Sequence, residues 1–169
     1  GVVALIQGTT SADEKSGKTI ALRADMDALP IQEENKKKYD SCKSGVMHAC
    51  GHDVHTACLL GAAKILNEMK HLFSGSIKLI FQPAEEVLPG GAKEMMKEGV
   101  LQNPDVELII GQHVLPTIDA GKIGIRPGAF MASADEIYLT VTGQGGHAAT
   151  PELTINPVPV ASRIIVALM

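Results

Sequence analysis

Gly75-Ser76-Ile77-Lys78-Leu79-Ile80-Phe81-Gln82-Pro83-Ala84-Glu85-Glu86 is an apolar run, opened by glycine and stopped by proline, that ends on two adjacent carboxylates. A short apolar run between such breakers has the length and composition of a buried strand. Neighbouring carboxylates on an extended segment point in different directions, so one can serve a metal ion while the other faces a substrate. Taken alone, the pair reads more readily as the opening of a solvated helix, whose positive end favours acidic residues.

The same arrangement recurs on both sides of this stretch. Upstream, Thr19 to Arg23 is continuously apolar and runs into Ala24-Asp25-Met26-Asp27-Ala28-Leu29-Pro30. Unbroken apolar character marks a strand covered on both faces, although two aspartates there could also be plain turn formers. Downstream, Val106-Glu107-Leu108-Ile109-Ile110-Gly111-Gln112-His113 is a strand that ends on an imidazole. Between these strands lie helical patterns at Asp53 to Met69, rich in small residues, and at Ala92 to Glu98, where Met95 and Met96 are expected to fill the core. Val2 to Gln7 adds a further strand, followed by a polar turn from Thr9 to Lys18. The strand–helix–strand rhythm predicts an α/β sheet with a site along its carboxyl edge.

Met47-His48-Ala49-Cys50-Gly51-His52-Asp53-Val54-His55 supplies the remaining chemistry. Residues two apart in a turned or extended segment share a face, so Cys50 and His52 can grip one ion or two neighbouring ions. Thiolate, imidazole and carboxylate are the ligand types of zinc, manganese or cobalt, and Asp53 and His55 could stand behind the ligands. Because the helix from Asp53 begins here, the positive end of its dipole points toward the site.

Composition excludes several classes. The chain has 169 residues, 45% of them hydrophobic and 20% charged, with a net charge of −4. That is the make-up of a globular protein. Its one basic cluster, Lys36-Lys37-Lys38, sits in a polar loop beside Glu33 and Glu34, so no nucleic-acid partner is expected. No apolar run approaches the ~20 residues of a membrane helix. Three cysteines, Cys42, Cys50 and Cys58, are too sparse for a disulfide framework and point to a reducing, cytoplasmic setting. Without a Cys-x-x-Cys pair, and with Cys58 expected to be a buried thiol in an apolar helix, a thiol redox protein is disfavoured. The chain opens inside an apolar run and closes on an uncapped helical pattern, Ser162 to Met169, so both ends are expected to be cut.

Beyond Gly121 the character changes. Gly121 to Arg126 reads as a strand, and a boundary is expected near Met131-Ala132-Ser133. Asp135 to Thr142 then alternates, with Ile137, Leu139 and Val141 on one face, as a half-exposed antiparallel strand does. Gly143-Gln144-Gly145-Gly146-His147-Ala148-Ala149 is a glycine-rich loop without phosphate-loop or dinucleotide spacing. Asn156 is positioned to cap a last helix, with Pro157 and Pro159 in its first turn.

Together these blocks resemble the co-catalytic metallopeptidase and amidohydrolase family of aminoacylases, hippurate hydrolase and plant auxin-conjugate hydrolases. The resemblance runs from Ala21 to Leu168. It is carried by Leu22–Pro30, Met47–Thr56, Phe81–Glu86, Gly111–His113 and Gly143–Ala149, all in the family's order. It implies a zinc-peptidase-like catalytic domain, a mixed sheet flanked by helices, into which a smaller α+β lid and dimerisation domain is inserted. Residues 1–131 would be part of the first and 132–169 the start of the second. It further implies two divalent metal ions (zinc, manganese or cobalt) held by Cys50, His52, Glu86 and His113. Glu85 falls where the family keeps its general base and acid, Asp27 where an aspartate supports the metals, and His147 where a lid histidine reaches the site, often the partner subunit's. The implied reaction is hydrolysis of an N-acyl amino acid by a homodimer. The family's last metal-binding histidine lies beyond Met169, so residues 1–169 alone are expected to be inactive. The alternatives are a dipeptidase or carboxypeptidase of the same family, or a non-catalytic module with degenerate metal sites.

Overall fold

The computed structural model describes residues 1–10, 17–133 and 135–169. Most of the turn expected between Thr9 and Lys18 falls outside the described residues. The chain divides into two compact units, Gly1–Lys122 and Ile123–Met169.

The first unit is built on a sheet of four strands, β1 (Val2–Gln7), β2 (Thr19–Asp25), β3 (Ser76–Gln82) and β4 (Leu108–Gly111), in the order β1-β3-β2-β4. β3 runs antiparallel to β1 and parallel to β2, and β4 lies parallel on the other side of β2. The sheet is therefore mixed. Its parallel strands are joined through helices, α1 (His52–Glu68) between β2 and β3, and α2 (Gly91–Lys97) between β3 and β4. Alternation along β3 explains why it reads as one apolar run. Leu79 and Phe81 pack with Ile6, Ala24 and Leu59 of α1, while Ile80 packs with Ala21 and Met95 of α2. Both faces are covered, so no position on the strand can be left polar without a partner.

Lys78 is the exception that tests this rule. It is 3% exposed in the middle of β3. Its ammonium donates to the carbonyls of Val100, Gln102 and Pro104 at 3.0, 2.7 and 3.0 Å. Three donors meet three acceptors, which satisfies the group and closes the segment between α2 and β4 onto the sheet.

Three expectations for this unit are corrected. Among the described residues β4 is an edge strand that pairs only with β2, and Leu108, Ile109 and Ile110 are about half-exposed rather than covered. Met95 is buried but Met96, one residue around the short helix, is exposed. Cys58 is an exposed thiol, because His52, His55 and Leu59 take the sheet-facing stripe of α1 and Cys58 lies off it.

The second unit contains a 3-10 turn, Pro151–Leu153, and α3 (Pro157–Leu168). Asn156 caps α3 as expected, its Oδ1 accepting from the N–H of Val158 at 3.0 Å, with Pro157 and Pro159 in the first turn. The strands expected at Gly121 to Arg126 and Asp135 to Thr142 do not form among the described residues. Side-chain alternation prepares a strand, but its backbone groups need a ladder. The one bridge nearby joins Gln144 to Ile155.

Replacing Lys78 by Met keeps the stem and strands three buried carbonyls. A loss of at least about 2 kcal/mol is expected, read as a lower urea midpoint. An unchanged midpoint would show that those carbonyls find water instead.

Candidate metal centre

Three segments meet beyond the carboxyl ends of β2 and β3. Gly51, at φ 83, turns the chain in the left-handed region and caps α1, so that Cys50 precedes the turn and His52 opens the helix. A side chain at residue 51 would be strained by that φ, and its Cβ would stand 2.4 Å from Val114 Cγ2. His113 arrives two residues past the end of β4.

His52 is the centre of the cluster and is 1% exposed. Its Nδ1 lies 3.1 Å from the Asp27 carbonyl and 3.2 Å from Asp27 Oδ1. Both partners only accept, so the network places a proton on Nδ1, and the neutral ring then keeps its lone pair on Nε2. Around Nε2 stand Glu86 Oε1 at 3.8 Å, Glu85 Oε2 at 3.9 Å and Asp25 Oδ2 at 3.8 Å. Cys50 Sγ is 3.5 Å from His113 Nε2, and the His113 ring is oriented by its Nδ1–H, which donates to the Val114 carbonyl at 2.7 Å. One ligand atom from each of Cys50, His52 and His113 lies within 4.8 Å of the others, as do those of His52, Glu85 and Glu86.

Such an arrangement is unfavourable with protein atoms alone. His52 Nε2 and Glu86 Oε1 are buried without a hydrogen-bond partner. Lone pairs facing lone pairs have nothing to donate between them, and burial makes that costly. A divalent cation resolves it, and a thiol, imidazoles and carboxylates are suitable donors for zinc, manganese or cobalt. The residues fit such an ion.

The supporting groups are as well determined. Asp27 Oδ2 accepts from the backbone N–H of Glu86 at 2.9 Å. Burial works against its charge, but N–H groups of Glu86 and Glu85 outweigh that and hold its pKa below the usual carboxylate value. Asp25 is also held low. Burial opposes its charge, and the hydrogen bond from His55 and the Arg23 guanidinium at 2.7 Å prevail. The Cys50 thiol is pushed up, first by burial and then by the carboxylates of Glu86, Glu85 and Asp25.

Of the residues singled out in the sequence, Cys50, His52, Glu85, Glu86, His113 and Asp27 come together in the first unit. His147 lies in the second. Its Nδ1 accepts from the Ala149 N–H at 3.1 Å, which leaves Nε2–H as a donor. Two expectations are adjusted. Glu85 and Glu86 both reach the same lone pair and differ in exposure, 42% against 22%. Asp53 is exposed in the first turn of α1. Asp25 was legible only as one of two aspartates at a strand end, and nothing marked it as the buried partner of His55.

The structure thus defines an α/β protein with a metal-competent cluster at the carboxyl ends of adjacent parallel strands. Comparison with known proteins agrees. Residues 21–168 match the profile of peptidase family M20/M25/M40, and the chain belongs to that family. An N-acyl-L-amino acid amidohydrolase from Geobacillus stearothermophilus is 46% identical over 155 residues, covering 92% of this chain and 41% of that protein. An IAA-amino acid hydrolase from Arabidopsis thaliana is 54% identical, covering 88% of this chain and 33% of that protein. A crystal structure of a dinuclear metal-binding peptidase of family M20 from Bacillus subtilis superposes with a TM-score of 0.67 at 43% identity, covering 75% of this chain and 33% of that one. The chain spans well under half the length of these relatives.

Two outcomes are expected. Because the Cys50 thiol is raised and must ionise to bind, uptake of zinc should release a proton, and zinc affinity should fall as the pH is lowered. Titration in weakly and strongly protonating buffers checks this, and proton-neutral uptake would remove Cys50 from the ligands. Asp25 has a folded pKa below its unfolded value. Its stabilisation is therefore complete above about pH 4 and lost as the pH falls through the folded value. Asp25→Asn should lack that portion of the acid sensitivity in urea midpoints compared between about pH 5 and about pH 3.

Proposed function

We propose that this chain is part of a metal-dependent amidohydrolase that cleaves the amide bond of N-acyl amino acids to a carboxylate and a free amino acid. The observation that carries the reading is the buried, unpartnered Nε2 of His52, ringed by Cys50, His113, Glu85 and Glu86. Cys50, His52, Glu86 and His113 are read as ligands of a pair of divalent ions. When bound, such ions lower the pKa of a coordinated water toward about 7 and polarise a substrate carbonyl.

The remaining work falls to side chains. Glu85, the more exposed of the two glutamates, takes a proton from the attacking water and returns it to the leaving nitrogen. Asp27 holds His52 in the tautomer that leaves Nε2 free. His147, with Nε2–H unengaged within its own loop, has the protonation needed to donate to oxygen as charge develops there. The relatives' printed names, an acyl-amino-acid amidohydrolase and an IAA-amino acid hydrolase, favour an acyl group on an amino acid. The M20 peptidase among solved structures keeps a peptide substrate as the second reading.

Residues 132–169 are read as the beginning of a lid and dimerisation domain. The exposed Val158, Ile165, Val166 and Leu168 of α3 support a subunit contact, and a homodimer is proposed. No helix among the described residues is long and apolar enough to cross a membrane. A cytoplasmic setting is proposed from the three free, unpaired cysteines.

Glu85→Gln in the full chain should retain its metal and lose about 10²–10⁴-fold in turnover of hippurate or N-acetyl amino acids. Elemental analysis and a substrate panel with dipeptides read both halves. Undiminished turnover removes Glu85 as base, and preference for dipeptides replaces the amidohydrolase reading by the peptidase one.

A further inference from the structure

His55 is as deeply buried as His52, at 1% exposure, yet it offers nothing to a cation. Its Nδ1 lies 2.6 Å from Asp25 Oδ1, and its Nε2 accepts from the backbone N–H of Val114 at 2.9 Å. A carboxylate only accepts and an amide N–H only donates, so Nδ1 carries the proton and Nε2 spends its lone pair on Val114. Asp25, His52 and His55 lie close enough to suggest a metal triad. The engagement of both His55 nitrogens argues against it.

We propose instead that His55, held by Asp25, is a positioning residue that fixes Val114 and through it sets His113 Nε2 opposite Cys50. The proposal rests on reading His113 as a metal ligand. β4 ends at Gly111, so among the described residues no ladder bond holds residue 113 or 114. The carbonyl of Val114 orients the His113 ring through Nδ1, while the N–H of the same residue is held by His55. Fixing the backbone of Val114 therefore fixes the tautomer and the direction of the His113 ring. Val114 is confined from the other side too. Its Cγ2 packs where a Cβ on Gly51 would stand, against the turn that presents Cys50 and His52. The His55 and His113 rings meet edge-on, with centroids 4.7 Å apart. Behind Asp25, Arg23 bonds both Asp25 at 2.7 Å and Gln82 of β3 at 2.8 Å, so the brace ends in the sheet.

The brace can be cut at one end. His55→Asn can still donate to Asp25 but stops short of Val114. His55→Gln carries an amide oxygen out to where Nε2 stood, with an N–H beside it for Asp25. In the full chain, cobalt(II) is titrated against a competing chelator while its visible absorption is recorded. The Asn variant should bind cobalt about 10–100-fold more weakly than the parent, with bands shifted toward those of His113→Ala. The Gln variant should return both affinity and bands to the parent's. A side chain that merely stabilised the fold would lower the melting temperature without separating Asn from Gln in the cobalt spectrum. Parental affinity and bands in His55→Asn overturn the proposal. So does a folded His55→Gln that fails to hold cobalt, whether or not the Asn variant folds. If the parent chain itself takes up no cobalt, it is the metal-centre reading that falls.

Discussion

Asp27 is the residue that ties the end of β2 to the Cys/His segment and to the end of β3. Its carbonyl accepts from Nδ1 of both His48 and His52, at 3.0 and 3.1 Å, and its carboxylate takes the N–H of Glu86. The residue just past β2 thus fixes the Cys/His segment on one side and the end of β3 on the other. Carbonyl oxygens only accept, so the tautomer of His52 follows from backbone position and not from the ring's own preference. Everything at the site inherits that choice. With Nδ1 protonated, the lone pair of Nε2 points among carboxylates and a thiol, where only a positive charge is welcome.

The end of β3 is shaped by backbone rather than by side chains. Ala84 has φ 49, a left-handed conformation that costs a residue with a Cβ about 1–2 kcal/mol. The turn is held by the N–H of Gly91, which donates to the Ala84 carbonyl at 2.8 Å. A Cβ on Gly91 would stand 1.9 Å from the Pro83 oxygen, so the start of α2 can approach this closely only as glycine. The reversal lets Glu85 and Glu86 converge on His52 Nε2, where a continuing strand would have sent them to opposite faces. Local strain placed immediately before two acidic residues fits a segment selected for where it aims them.

Strand ends were legible because a buried strand with both faces covered leaves an unmistakable apolar run, and polar residues at its end stand out. The Cys-x-His segment was legible for a related reason: few turns concentrate so many metal-competent side chains. What could not be read were partners set by long-range packing. Lys78 interrupts an apolar run with a charge, and its three carbonyl acceptors lie more than twenty residues downstream. Asp25 and His55 are separated by 30 positions and meet only because α1 docks across β2. Periodicity tells which face of Asp135 to Thr142 would be buried, but not whether a pairing strand lies within reach. The same limit explains β4, whose apolar residues read as covered and stand half-exposed at an edge.

The charge balance of the cluster argues that binding of a divalent ion would favour the folded state. Asp25, Asp27, Glu85 and Glu86 converge on His52, and Arg23 bonds Asp25. Asp25 and Asp27 are compensated, by Arg23 and His55 for the first and by backbone N–H groups for the second, and both have lowered pKa values. Glu86 Oε1 and His52 Nε2 are not compensated, and Cys50, buried first and beside the surplus negative charge second, holds its proton more tightly. On the proposed ligand reading, a divalent ion would remove all three penalties at once, neutralising the carboxylate, occupying the lone pair and ionising the thiol. An unfolded chain has no preformed site and gains little of this, so the gain accrues to the folded state. On that reading the braced aspartates position the cluster, and the unbraced groups are the ones left for the ion.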